Sequence, residues 1–248
     1  MLSNIIPTSS IGNIESVKSL EDLSTRVCEH IISIAKTSIS NHDIFHFAIS
    51  GGNTPGKIFS LLEKKHIDCI DWTKVCFYWT DERWVPHNHP DSNYKLAKDT
   101  MPNIFNRSHI HKINTESILP KESSSEYEKT LLETIKNKKN NTPIFDLILL
   151  GIGDDGHTAS LFPDSIGLDS QGLVTENFIE TLSNWRITLT FRSINNANNT
   201  LFIVNGLKKN HIVNTILSGD QTYPISYVDF KKTNAHWVIT NFKMETSR

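Results

Sequence analysis

The stretch Gly151-Ile152-Gly153-Asp154-Asp155-Gly156-His157 sets an imidazole two residues after a carboxylate, directly behind the apolar run Phe145 to Leu150. An imidazole takes up and releases protons near neutral pH, and a carboxylate so close can orient it, so Asp155 and His157 form a candidate catalytic pair. Three glycines in six residues let the backbone adopt positive φ and approach a ligand closely. The glycines also match G-x-G-x-x-G, but a dinucleotide site is disfavoured. Two aspartates between the last glycines would repel a pyrophosphate, and no clear strand ending in an acidic residue follows about 20 residues on. A plain alternative is a helix cap with an exposed imidazole, since Asp-Asp-Gly-His-Thr puts capping side chains where a helix could start.

Three further clusters carry donors or charges. Ser50-Gly51-Gly52-Asn53-Thr54-Pro55-Gly56-Lys57 is a phosphate-cradle candidate: glycines expose N–H groups, Ser50, Asn53 and Thr54 add side-chain donors, and Pro55 suits the first turn of a helix whose positive end favours an anion. It lacks P-loop spacing. Thr80-Asp81-Glu82-Arg83 puts two carboxylates and an arginine behind an apolar strand, where they form a surface cluster or line a site; Arg83 is suited to bidentate phosphate binding. Lys208, in Asn205-Gly206-Leu207-Lys208-Lys209, enters a helix at the end that repels cations, a cost removed by contact with an anion. His87 and His89 lack a third ligand nearby and read as loop histidines, and His46 reads as a packed one.

Elements that position these residues follow from periodicity. Ile44 to Ile49, Val75 to Trp79, Phe145 to Leu150 and Leu201 to Val204 are short, nearly continuous apolar runs, as expected of strands buried on both faces. Shorter or alternating strands are expected at His109 to Ile113, Leu173 to Glu176, Trp185 to Thr190, Ile225 to Val228 and His236 to Ile239. Apolar residues at three- and four-residue spacing predict helices over Ile14 to Ser38, over a segment containing Tyr94, Leu96 and Met101 capped by Asp91 or Ser92, over Ser123 to Lys138, and around Ile212, Val213 and Ile216. Lys136 to Asn141 reads as a solvated polar run. The alternation implies a single α/β domain, core about residues 15–240, with a mostly parallel sheet and helices on both faces. All four clusters follow apolar strands, so they can converge on one sheet edge.

Composition narrows the classes. The chain has 248 residues, 38% hydrophobic and 21% charged, with a formal net charge of -2, so no bulk attraction for nucleic acid or an anionic membrane surface is expected. Cys28, Cys69 and Cys76 form no C-x-x-C pair, which argues for reduced thiols. Met1 to Asn13 lacks the basic and apolar regions of a secretory leader, and a cytoplasmic protein is expected. No G-x-S-x-G elbow points to a serine hydrolase.

Together, Ser50 to Pro55, Asp81-Glu82-Arg83 with Asp91-Ser92-Asn93-Tyr94, Gly151 to Pro163, and Arg186 to Thr190 with Gly206 to Lys209 resemble the family of 6-phosphogluconolactonases and glucosamine-6-phosphate deaminases and isomerases. The resemblance runs from about residue 15 to 240. It implies a Rossmann-like three-layer sandwich and hydrolysis of 6-phospho-D-glucono-1,5-lactone without cofactor or metal, by a monomer or weak homo-oligomer. His157, oriented by Asp155, would be the general base; Ser50, Gly51, Gly52, Asn53, Thr54, Asp81, Glu82, Arg83 and Lys208 would bind the sugar phosphate. In the deaminases an aromatic residue replaces the arginine at position 83, and a glutamate lies five residues after the histidine; here that position is Phe162. The alternatives are a deaminase or isomerase and a non-catalytic sugar-phosphate binder. The ending Trp237 to Phe242 matches the family only in its apolar residues.

Overall fold

In a computed structural model, described for residues 4–8, 10–116 and 119–245, thirteen strands and seven α-helices are assigned. Residues 1–3 and 9, part of the amino-terminal stretch read for a leader, lie outside the described residues. In order they are β1 (Asn4–Thr8), β2 (Gly12–Val17), α1 (Leu20–His42), β3 (Phe45–Ile49), α2 (Asn53–Lys65), β4 (Val75–Trp79), β5 (Asp81–Arg83), α3 (Asn93–Thr100), α4 (Pro102–Arg107), β6 (His109–His111), α5 (Pro120–Thr134), β7 (Lys138–Lys139), β8 (Thr142–Pro143), β9 (Leu147–Gly151), β10 (Val174–Ile179), β11 (Asn184–Leu189), α6 (Phe191–Ile194), β12 (Thr200–Val204), α7 (Asn210–Leu217) and β13 (His236–Thr240).

The main sheet has the order β1-β2-β13-β12-β9-β3-β4-β6; β1 is antiparallel to β2 and the other seven strands run parallel. Every residue of β3, β4 and β12 is buried, which requires cover on both faces and explains their continuous apolar sequences. The helix α1 lays Leu23, Val27, Cys28, Ile31 and Ala35 against the sheet. A second, antiparallel sheet, β10-β11-β5, is covered by α5 and stands beyond the carboxyl end of β4. This is the expected α/β architecture.

Three local expectations are corrected. The predicted helix from Ile14 begins instead at Leu20: Gly12–Val17 is strand β2, paired with β13, and Ser19 caps α1 by accepting from the Asp22 N–H at 3.1 Å. Ile14 and Val17 happen to sit in phase with the helical stripe, while the Ser-x-x-Asp cap marks the true start. Ile225 to Val228 is no strand; a 3-10 turn spans Pro224–Tyr227, and Pro224 has no N–H for a ladder. No helix follows Gly156 either. The Asp155 carboxylate instead accepts from the His157 N–H at 3.1 Å, and positive φ at Ala159 and Asp164 keeps the chain irregular to Ile166.

Candidate active site

The carboxyl ends of β3, β4, β9 and β12 open into one cleft of about 440 Å³. Ser50 to Pro55, Asp81, Arg83, Asn93, Gly151 to Gly153, His157, Ala159, Asn205 and Lys209 line it. Four segments that are far apart in the chain are therefore brought together, as ligand sites in open parallel sheets require.

At the mouth of β9, His157 Nδ1 lies 2.5 Å from Asp155 Oδ1. The Asp155 carboxyl is buried enough to raise its pKa, but the hydrogen bond and charge interaction with His157 outweigh that and hold it below the usual carboxylate range. An ionised carboxylate only accepts, so in the neutral imidazole Nδ1 carries the proton and Nε2 the lone pair. Three contacts fix the ring. Gly153 N–H donates to the His157 carbonyl at 2.9 Å, Phe162 stacks on the imidazole with centroids 3.9 Å apart, and a Cβ at Gly153 would lie only 2.1 Å from Nδ1. Gly153 is thus required for the close approach. Ala159, at φ 49, is a residue of the cleft held in a left-handed conformation that alanine seldom adopts.

The loop is tied down through Ser160. Its Oγ donates to Asp81 Oδ2 at 2.7 Å, its N–H to Thr188 Oγ1 at 3.1 Å, and its carbonyl accepts from Asn177 Nδ2 at 2.8 Å. Each partner sits on a different strand of the small sheet, so that sheet fixes the imidazole relative to Arg83. Ser50 plays a similar part among the parallel strands: its hydroxyl donates to the Leu149 carbonyl at 2.7 Å and meets Thr80 Oγ1 at 2.8 Å. Ser50 hydroxyl chemistry is therefore committed to joining β3, β4 and β9.

Helix α2 starts at Asn53 behind Gly52, whose φ of 103 only glycine adopts readily. Its first N–H groups lack intrahelical partners and face the cleft with no acidic residue in the first turn. Arg83 is anchored by donation from Nη1 to the Asp91 carbonyl at 2.7 Å. Opposite it in the ladder stands Arg186, whose pKa is lowered by burial and by the charge of Arg83.

Glu82 and Lys208 are not brought to the cleft. Glu82 is 1% exposed, and its carboxylate accepts from the N–H groups of Arg83, Asn93 and Tyr94 and from Ser92 Oγ. It caps α3 instead of facing a ligand. Lys208 points outward on a 3-10 turn, and its neighbour Lys209 reaches in, donating from Nζ to the Ile152 carbonyl and standing 3.8 Å from Asp154. Neighbouring residues on such a turn point about 120° apart, which no composition signal resolves. Sequence reasoning also left Asn93 without a role. It lies in the cleft, 2% exposed; Nδ2 donates to the Asp81 carbonyl at 2.9 Å, while Oδ1 has no partner.

Strand ends, a helix start and an oriented imidazole in one cleft define an α/β protein equipped to hold an anionic small molecule and move a proton on it. Residues 18–237 match the family model described as glucosamine-6-phosphate isomerases/6-phosphogluconolactonase. The chain is 36% identical over 213 residues to probable 6-phosphogluconolactonase 1 of Arabidopsis thaliana, covering 80% of this chain and 77% of the relative. It is 34% identical over 190 residues to the 6-phosphogluconolactonase of Synechocystis, covering 73% and 76%. The solved 6-phosphogluconolactonase of Trypanosoma brucei superposes with a TM-score of 0.83 at 26% identity, covering 96% of this chain and 97% of that one. The chain belongs to the glucosamine-6-phosphate isomerase/6-phosphogluconolactonase family.

Proposed function

We propose that this protein hydrolyses 6-phospho-D-glucono-1,5-lactone to 6-phospho-D-gluconate, the second step of the oxidative pentose phosphate pathway. The observation that carries the reading is the His157–Asp155 pair facing the same cleft as Arg83, Lys209 and the start of α2. The N–H groups opening α2, with Arg83 and Lys209, hold the phosphate and set the lactone carbonyl beside the imidazole. His157 Nε2 takes a proton from water as its oxygen attacks C1. The tetrahedral intermediate then collapses: the bond from C1 to the ring oxygen breaks, and the imidazolium returns its proton to that oxygen, leaving a carboxylic acid that ionises. The N–H groups of Gly153 and Gly156 are already donated to the carbonyls of His157 and Gly153. Those two groups are therefore not free to meet the developing oxyanion, and Arg83 is kept for the phosphate. In this reading Asp81, tied to Ser160, accepts from a sugar hydroxyl.

Deamination fits less well, because Phe162 packs on His157 where a carboxylate would be needed for ring opening. The three cysteines are unpaired, which supports a cytoplasmic protein, and the reading takes it as a monomer or weak homo-oligomer. No described helix is long and apolar enough to cross a membrane. The test is opening of freshly generated lactone, followed by coupled NADP reduction with 6-phosphogluconate dehydrogenase and corrected for spontaneous hydrolysis, beside ammonia release from glucosamine 6-phosphate. Acceleration of the first alone supports the reading. Ammonia release alone, or silence in both assays, overturns it.

A further inference from the structure

On the far side of the sheet, at the amino-terminal end of β13 and away from the cleft, a second cluster gathers three potential ligands from three elements. Glu15 on β2 is fully buried; His30 comes from α1 and His236 from the first position of β13. We infer that Glu15, His30 and His236 form a structural site for a divalent transition metal of the zinc type, which pins α1 to the edge of the parallel sheet.

The geometry fits such an ion. Tetrahedral zinc with bonds of about 2.0–2.1 Å to nitrogen sets its ligand atoms about 3.3 Å apart. Here His30 Nε2 lies 3.1 Å and His236 Nε2 3.5 Å from Glu15 Oε2, and the three ligand atoms fall within 4.8 Å of one another. The two imidazoles converge with ring centroids 4.1 Å apart. His236 Nε2 is buried and, apart from its 3.5 Å approach to Glu15 Oε2, has no hydrogen-bond partner. Arg26 Nε donates to the other carboxylate oxygen, Oε1, which orients Glu15 as outer partners commonly orient ligating carboxylates. A cavity of about 150 Å³, bordered by Asn13, His30, Asn199, Asn234 and His236, adjoins the cluster and has room for a water as fourth ligand. Two nitrogens and one oxygen suit zinc better than the all-oxygen shells that calcium and magnesium require. The family resemblance implied no metal for the reaction, because opening an activated ester needs none; a structural site lies outside that expectation.

The experiment is equilibrium binding of Zn²⁺ to the full chain, with Co²⁺ as spectroscopic probe, for wild type, His30→Ala, His236→Ala and His157→Ala. The site predicts one zinc per chain that survives His157→Ala and weakens at least tenfold in His30→Ala and in His236→Ala. It also predicts visible Co²⁺ bands of four-coordinate intensity and a zinc-dependent rise in melting temperature of roughly 5 °C at 100-fold excess over Kd, absent from the two variants. If either alanine variant is unfolded, His236→Gln, which keeps the bulk and loses the imidazole, takes its place. Absence of zinc binding by wild type, or loss in His157→Ala with retention in the others, overturns the inference.

Discussion

At the scale of single residues, the proposed mechanism turns on one proton position. With Asp155 ionised, Nδ1 must donate and Nε2 must accept, so replacing that carboxylate by an amide allows the ring to turn to the tautomer with its proton on Nε2. Asp155→Asn is expected to lower kcat by about 100-fold or more while KM changes little, measured by the coupled lactone assay. The sign of the pH effect follows from the carboxyl's depressed pKa: its support for the imidazole is complete above the ordinary carboxylate range and fades only as pH falls through the lower folded value. Any loss of activity between neutrality and pH 5 should therefore persist in Asp155→Asn, and a limb that vanished in that variant would contradict the depressed carboxyl pKa. The contact between Asp155 and His157 was legible in sequence because both members lie within three residues. Lys209 was not, because the choice between adjacent lysines depends on the turn that Gly206 starts at φ 116.

At the scale of elements, the reacting groups are held by strands and caps that never meet the ligand. Glu82 joins β5 to the start of α3, and burial raises its pKa although the N–H groups of Asn93, Tyr94 and Arg83 pull the other way. Glu82→Gln turns an amide donor toward those N–H groups, leaving at least one of them unsatisfied. A loss of about 1–3 kcal/mol is expected in urea unfolding, together with a raised KM as Arg83 and Asn93 loosen. Unchanged stability and KM would show that the cap is dispensable. The parallel strands were readable from sequence because burial on both faces leaves no polar alternation to confuse. Strand β2 was hidden, since an edge-region strand flanking a helix shares its apolar spacing, and the long-range pairing to β13 that decides the matter spans more than two hundred residues of chain. The role of Ser160 was equally invisible: it depends on three strands meeting one loop.

At the scale of the whole molecule, the sheet that builds the cleft also buries ionisable groups. His46, inside β3 and 5% exposed, has its pKa lowered from 6.5 to about 4, by burial first and then by the charges of His42 and His111. Between those values the unfolded chain binds a proton that the folded chain refuses. Stability therefore rises with pH across roughly 4 to 6.5, by about 3 kcal/mol in total for this residue, and is fully present above that window. His111 and His236, also lowered by burial, add to the same slope. Urea unfolding at pH 5 and pH 7 should show the protein weaker at pH 5, with the difference reduced in His46→Gln; an equal difference in the variant would remove His46 from the account. The cleft itself stands on this core, and its four lining segments inherit their positions from strands whose packing is complete on both faces.

The most direct test of the central claim is the rate of lactone opening by His157→Ala, measured with the affinity for 6-phosphogluconate by calorimetry on the same preparation. General-base action in a cleft that binds phosphate elsewhere predicts a fall in kcat of about 10²–10⁴ with product affinity within a few-fold of wild type. Turnover near the wild-type rate would contradict it.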